Sequence, residues 1–299
     1  MKFLFFYLIS LSFIGYGTLV INFLKLRYYN FGILGILGIT LIAIISFSSS
    51  LFLNHGHLFN ALTLLIGFIL FLINLKRINQ PKKEILNHFI IFMILCLFIL
   101  IAKNHDDFSY YHFPYITLLT EFQHPIGIGQ LNNGFRSPSS IFFISSLFYL
   151  PGVGIYIFHI FPALVLGFVN LILLNKIFDQ GIFKRKKIVN FLSLASLVFI
   201  NIFFYRLAEH GTDRTGMILI ILAIIFLVSL IYDQKSSEHI DEMKIFILMI
   251  SFVATIKPFY FLNLLLLIIL IINPLLRKNF LNLFFSRTFY YCCTLIFLI

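Results

Sequence analysis

The chain has 299 residues, 61% of them hydrophobic and 11% charged, with a mean hydropathy of +1.02. That is roughly half the charge of a water-soluble domain of this size, which excludes an ordinary soluble fold. The 22 basic residues outnumber 11 acidic ones, but membrane proteins gather Lys and Arg in cytoplasmic loops, and no nucleic-acid-binding module accompanies the excess.

A hydrocarbon layer about 30 Å thick needs roughly 20 apolar helical residues, and its lack of water forces backbone groups to pair internally. The apolar runs 3–24, 31–53, 57–75, 85–102, 153–175, 188–205 and 217–232 are therefore expected to be spanning helices. The first exceeds the about 7–15 apolar residues of a secretory signal and lacks a small-residue cleavage site, so it reads as a retained span. The stretch 138–151, "PSSIFFISSLFYLP", is bracketed by prolines and is short, which predicts an interfacial or re-entrant helix. Lys257 and Pro258 interrupt the run 245–273, predicting a hairpin or a kinked span. The closing "YYCCTLIFLI" stops inside an apolar run without a polar cap, so the chain is expected to continue beyond it. Cys96, Cys292 and Cys293 all lie in apolar runs, which offers no disulfide framework or metal knuckle.

The expected fold is all-α: a polytopic helical integral membrane protein of about 8 to 10 transmembrane helices in one domain. Four spans occupy 1–102, an outer loop and short helix occupy 103–151, and the remaining spans occupy 152–299.

Counting Lys and Arg sets the orientation. With the N-terminus outside, 16 of the 22 basic residues fall inside, leaving Lys2, Lys103, Arg136, Arg206, Arg214 and Lys257 outside. The outer face then receives 54–57, 103–137, 206–216 and the break at Lys257. Asp106, Asp107, Glu121, Glu209 and Asp213 collect there, with His55, His57, His105, His112, His124 and His210.

Three outer clusters carry candidate chemistry. "KNHDDFSYYHFPY" places Asp106 and Asp107 side by side past a helix end, where hard oxygen ligands suit Mg²⁺ or Mn²⁺ and a carboxylate can serve as general base. Taken alone, the pair reads first as a solvated loop start, the ordinary place of surface carboxylates. "RLAEHGTDRTG" brings Arg206, His210, Asp213 and Arg214 into a tight loop; the arginines can clamp a phosphate, while Asp213 can cap the following helix. Lys257, in an apolar segment beside Pro258, either snorkels or serves as a phosphate counter-ion. "HPIGIGQLNNGFRSPSS" adds glycines, paired asparagines and Arg136, suited to a loop folded over a polar ligand or to a plain connector. The histidine spacings suggest no zinc site.

"DDFSYYHFPYI", "GIGQLNNGFRSPSSIFF" and "RLAEHGTDRTG" together resemble a family of bacterial multi-spanning proteins with an Asp-x-x-x-Tyr-His motif and a Gly-x-x-x-Leu-x-x-x-Arg segment. That family in turn looks like the GT-C glycosyltransferases. The first motif falls on Asp107, Tyr111 and His112; in the second, Gly127 and Leu131 keep the step, but Phe135 takes the next position and the arginine follows as Arg136. GT-C enzymes usually place their acidic loop after the first span, whereas four spans precede it here. The resemblance implies a bacterial plasma-membrane enzyme with a periplasmic active face, moving a sugar from a polyprenyl-phosphate-linked donor to a glycan or lipid acceptor. It implies Asp107, with Asp106, as base or metal ligand, and Tyr111, His112, Arg136, Arg206, His210, Asp213, Arg214 and Lys257 as substrate and phosphate contacts. A transporter or flippase of a glycolipid or anionic solute, or a polysaccharide polymerase or ligase, would use the same charges.

Overall fold

The computed structural model describes residues 2–27, 30–78, 80–100, 107–178, 187–203, 212–232 and 239–297. Its helices are α1 (Lys2–Leu24), α2 (Phe31–Ser50), α3 (His57–Asn74), α4 (Pro81–Leu100), α5 (Phe113–Glu121), α6 (Ser140–Ser146), α7 (Phe161–Phe178), α8 (Lys187–Phe203), α9 (Thr212–Tyr232), α10 (His239–Ala254), α11 (Leu267–Ile272), α12 (Pro274–Leu283) and α13 (Arg287–Phe297). Among the described residues the β pairing amounts to one isolated bridge, Leu150 to Gly154. The all-α expectation holds.

Local chemistry sets the helix ends. The Asn30 side chain accepts from the Ile33 amide at 2.8 Å to open α2, and that of Asn273 accepts from the Leu275 amide to open α12. Pro81 and Pro274 sit at first helical positions, where a missing N–H costs nothing. Inside the bundle, α1 packs against α2 and α3 with backbones nearly touching. A Cβ at Gly38 would run into the Phe13 carbonyl, and one at Gly15 into the Gly67 carbonyl. Small residues permit such approaches in membrane helices.

Among the described residues, five helical stretches are long and apolar enough to cross a membrane: Lys2–Leu24, Phe31–Ser50, His57–Arg77, Ile157–Phe178 and Thr212–Tyr232. Pro258–Ile272 and Pro274–Leu283, bent by 116°, make a sixth if counted together. The chain is a membrane-embedded, multi-pass protein. The described parts of α4, α8 and α10, on the expected runs 85–102, 188–205 and 245–273, have 20, 17 and 16 residues. The short helix α6 has all seven of its residues buried, packed between α2 and α5. The 245–273 region is a hairpin: α10 ends before Lys257, and the 3₁₀ helix Pro258–Leu266 runs back along it.

Polar contacts sort to two opposite ends. At one end the carboxylate of Glu242 meets Lys176 Nζ at 3.1 Å and the Ser229 hydroxyl at 2.9 Å. Asp241 accepts from the Arg27 amide at 3.0 Å, Glu84 from the Phe31 amide at 3.0 Å, and Lys244 Nζ donates to the Leu24 carbonyl. This Glu242 end ties together α1, α2, α4, α7, α9 and α10. The opposite end holds residues 51–56, 107–151, the start of α9 and the break at Lys257.

Candidate functional site

Asp107 leads into one turn of π-helix, Phe108–His112, that runs straight into α5. Single π turns widen the helix and recur at functional sites. This turn carries Tyr111 and the buried His112, whose ring lies 5.0 Å from that of Phe142 on α6. The second expected segment packs directly on the first. A Cβ at Gly134 would stand 2.5 Å from Tyr111 Cβ, and Asn132 Nδ2 donates to the Tyr110 carbonyl at 3.2 Å. Glycine at 134 is thus what lets the 3₁₀ turn Asn133–Arg136 lie against the tyrosine.

Asp213, the second residue of α9, supplies the third piece. Lys257 Nζ donates to its Oδ1 at 2.8 Å, and the Tyr260 hydroxyl donates to its backbone carbonyl at 2.8 Å. The Tyr260 ring lies flat against Gly216, where any Cβ would collide with it. Pro258 frees the chain from helical geometry at this point and turns Lys257 toward α9. The Ser140 amide donates to the Thr255 carbonyl at 3.1 Å, fastening the start of α6 to the end of α10.

Electrostatics connect these pieces. Burial pushes the Tyr111 phenol up to about 12, and the negative charges of Asp107 and then Asp213 push in the same direction. Asp107 and Asp213, from stretches far apart in the chain, therefore act on one phenol, which stays neutral and able to donate. Lys257 and Asp213 are partly exposed, with side chains 38% and 60% accessible, so their ion pair faces solvent and contributes only about 0.2–1 kcal/mol of stability.

Among the expected site residues, the structure brings Asp107, Tyr111, His112, Asp213, Arg214 and Lys257 to one end of the bundle. Arg136 is at the same end but folds back on its own loop, its Nε donating to the Gly129 carbonyl at 3.4 Å. Asp106, Arg206 and His210 lie outside the described residues. Among the described residues no group of three His, Cys, Asp or Glu side chains could hold a metal ion, and Asp107 is the one described member of the expected metal pair.

Sequence reasoning missed two participants. Tyr260 was hidden in an apolar run; the only local signal was its position just past the Lys-Pro break. His55, expected only to lie at the outer face, is fully buried. Its Nδ1 lies 2.5 Å from the Ser146 hydroxyl and its Nε2 2.9 Å from that of Ser49, while its backbone amide donates to the Leu119 carbonyl. Both serines also donate within their own helices, Ser146 to the Phe143 carbonyl at 2.6 Å and Ser49 to the Ser46 carbonyl at 3.2 Å. Burial pushes His55 down to about 4, and it stays neutral as the clasp holding α2, α5 and α6 together.

No curated protein and no solved structure matches this chain. A family model described as a domain of unknown function, DUF8201, matches residues 1–299. Since that match spans the whole of the sequence, the chain belongs to the DUF8201 family.

Proposed function

We propose that this protein is a membrane glycosyltransferase of GT-C type in the bacterial plasma membrane, with its N-terminus and its Lys257 end facing the periplasm. In this reading it transfers a sugar from a polyprenyl-phosphate-linked donor to a glycan or lipid acceptor. One observation carries the reading: Asp107, Tyr111, Asp213 and Lys257, drawn from three remote stretches, share one electrostatic neighbourhood beside a broken helix.

The residues divide the work by charge. Asp107 takes the proton of the acceptor hydroxyl as its oxygen bonds to the sugar anomeric carbon. The bond from that carbon to the donor phosphate breaks, and the leaving phosphate gains negative charge. Lys257 and Arg214, joined by Arg206, receive that charge, and cations fixed in place beforehand stabilise it most. Asp213 holds Lys257 in position, and neutral Tyr111 donates to a sugar hydroxyl or phosphate oxygen. Asp107, with Asp106, would be the residues to hold a Mg²⁺ or Mn²⁺ ion, which would supply further charge stabilisation for the leaving phosphate.

Asp107→Asn keeps the shape and removes the base. It is expected to lower transfer by about 10²–10⁴-fold in membranes with unchanged protein level; a variant with full activity would remove Asp107 from the chemistry. A transporter could use the same break at Lys257 and Pro258. Glycosylated product formed in detergent, without a sealed compartment, separates the two.

A further inference from the structure

Independently of the catalytic reading, we propose that the α11–α13 elbow, at the Glu242 end, is a binding site for an anionic glycerophospholipid. The phosphate would be held by Arg277 and Lys278, and an acyl chain would fill the cavity beneath them.

The position of the elbow follows from helix rises. The stretch Pro258–Ile272 combines a 3₁₀ and an α segment, about 27 Å at about 2.0 and 1.5 Å per residue, close to the hydrocarbon thickness of about 30 Å. It starts at the Lys257 end, so Asn273 reaches the opposite end. There the 116° bend swings α12 roughly across the bundle axis. Arg287 confirms the level: its Nη1 donates to the Phe23 carbonyl at 3.1 Å, next to the exposed Lys25 at the end of α1.

Helix α12 is two-faced. Leu276, Phe280 and Leu283 are buried, while Arg277 and Lys278 are exposed. That is the pattern of a helix lying in a membrane interface with its cations at headgroup level. Beneath it is an apolar cavity of about 140 Å³, bounded by Phe280, Phe284, Phe289, Cys292, Ile247 and Leu267. Phe285 closes the corner, 78% exposed and held at φ 61, a left-handed conformation that a bulky residue adopts only when its surroundings impose it.

Charge complementarity identifies the occupant. Residues 243–299 contain no Asp or Glu, so Arg277, Lys278 and Arg287 have no acidic partner within their own segment. Among the described residues the acids of this end, Glu84, Asp241 and Glu242, are buried and already engaged, Glu84 with the Phe31 amide and Asn175, and the other two with the Arg27 amide, Lys244, Lys176 and Ser229. Two exposed cations over an apolar cavity at headgroup level match a lipid with a negative headgroup, each cation near an anionic surface strengthening attachment by about fivefold.

The chain has no tryptophan, so Phe289→Trp installs a single reporter in the cavity wall. In nanodiscs with equal mole fractions, phosphatidylglycerol with brominated acyl chains is expected to quench this tryptophan more strongly than brominated phosphatidylcholine. Adding Arg277→Gln and Lys278→Gln should abolish the difference, and Arg277→Lys with Lys278→Arg should retain it. Phe285→Trp, at the exposed corner, gives the same readout if the first reporter disturbs folding. Equal quenching by both lipids, a preference that survives the Gln pair, or no quenching by either because protein covers the cavity would each overturn the proposal.

Discussion

Lys257 shows how little the stability of a residue says about its use. Its bond to Asp213 is exposed, so Lys257→Met should change unfolding in detergent by less than about 1 kcal/mol. Under the glycosyltransferase reading it should still reduce transfer by one or more orders of magnitude, and parallel melting and activity measurements on one preparation check both halves. Tyr111 gives a pH test with a definite sign. Its folded value is raised from 10 to about 12, so the folded state keeps a proton that the unfolded state loses between those values. That part of the stability is complete below pH 10 and is lost as pH rises through about 12. Asp213→Asn removes one of the charges that raise the phenol, so a ¹⁹F label on this tyrosine should titrate at lower pH in that variant than in the parent. An unmoved titration would separate Asp213 from Tyr111.

Among the elements, those that read cleanly from sequence were the ones whose signal is local. The runs at 3–24, 31–53 and 217–232 became α1, α2 and α9 because unbroken apolar sequence of that length has few other options in a bilayer. Lys257 and Pro258 likewise marked a real turn in the hairpin. The short helix in 138–151 was legible from its bracketing prolines, but its complete burial, the π turn and the His55 clasp were not, since each depends on partners dozens of residues away. The acids Glu84, Asp241 and Glu242 illustrate the same limit: they stand in the first turns of α4 and α10, and tertiary contact buries them. Lys176→Met should reveal this burial, because it leaves Glu242 charged and unpaired in a low-dielectric site. A loss of about 3–5 kcal/mol in detergent unfolding is expected, with recovery when Glu242→Gln is added. A Lys176→Met protein as stable as the parent would show the pair to be dispensable.

Taken whole, the molecule is a bundle with two polar ends of different character. Contacts at the Glu242 end are inward and satisfied, binding six helices to one another. Among the described residues the Lys257 end has fewer cations, its ion pair is accessible, and its charges are arranged around a π turn, a helix break and a short buried helix. Rigid packing at one end and broken secondary structure at the other is the division expected when chemistry is confined to one side of a membrane.

The central claim is that the Asp107 turn and the start of α9 meet at that second end. Cysteines placed at 107 and 213, in a chain whose three native cysteines are replaced, test it with a short bifunctional thiol reagent. The pair should crosslink within one chain and become protected when Tyr111 is enlarged by iodination, whereas a control pair at 107 and 244 should not react together. Failure of 107 and 213 to crosslink, or equal crosslinking of the control pair, would contradict the arrangement.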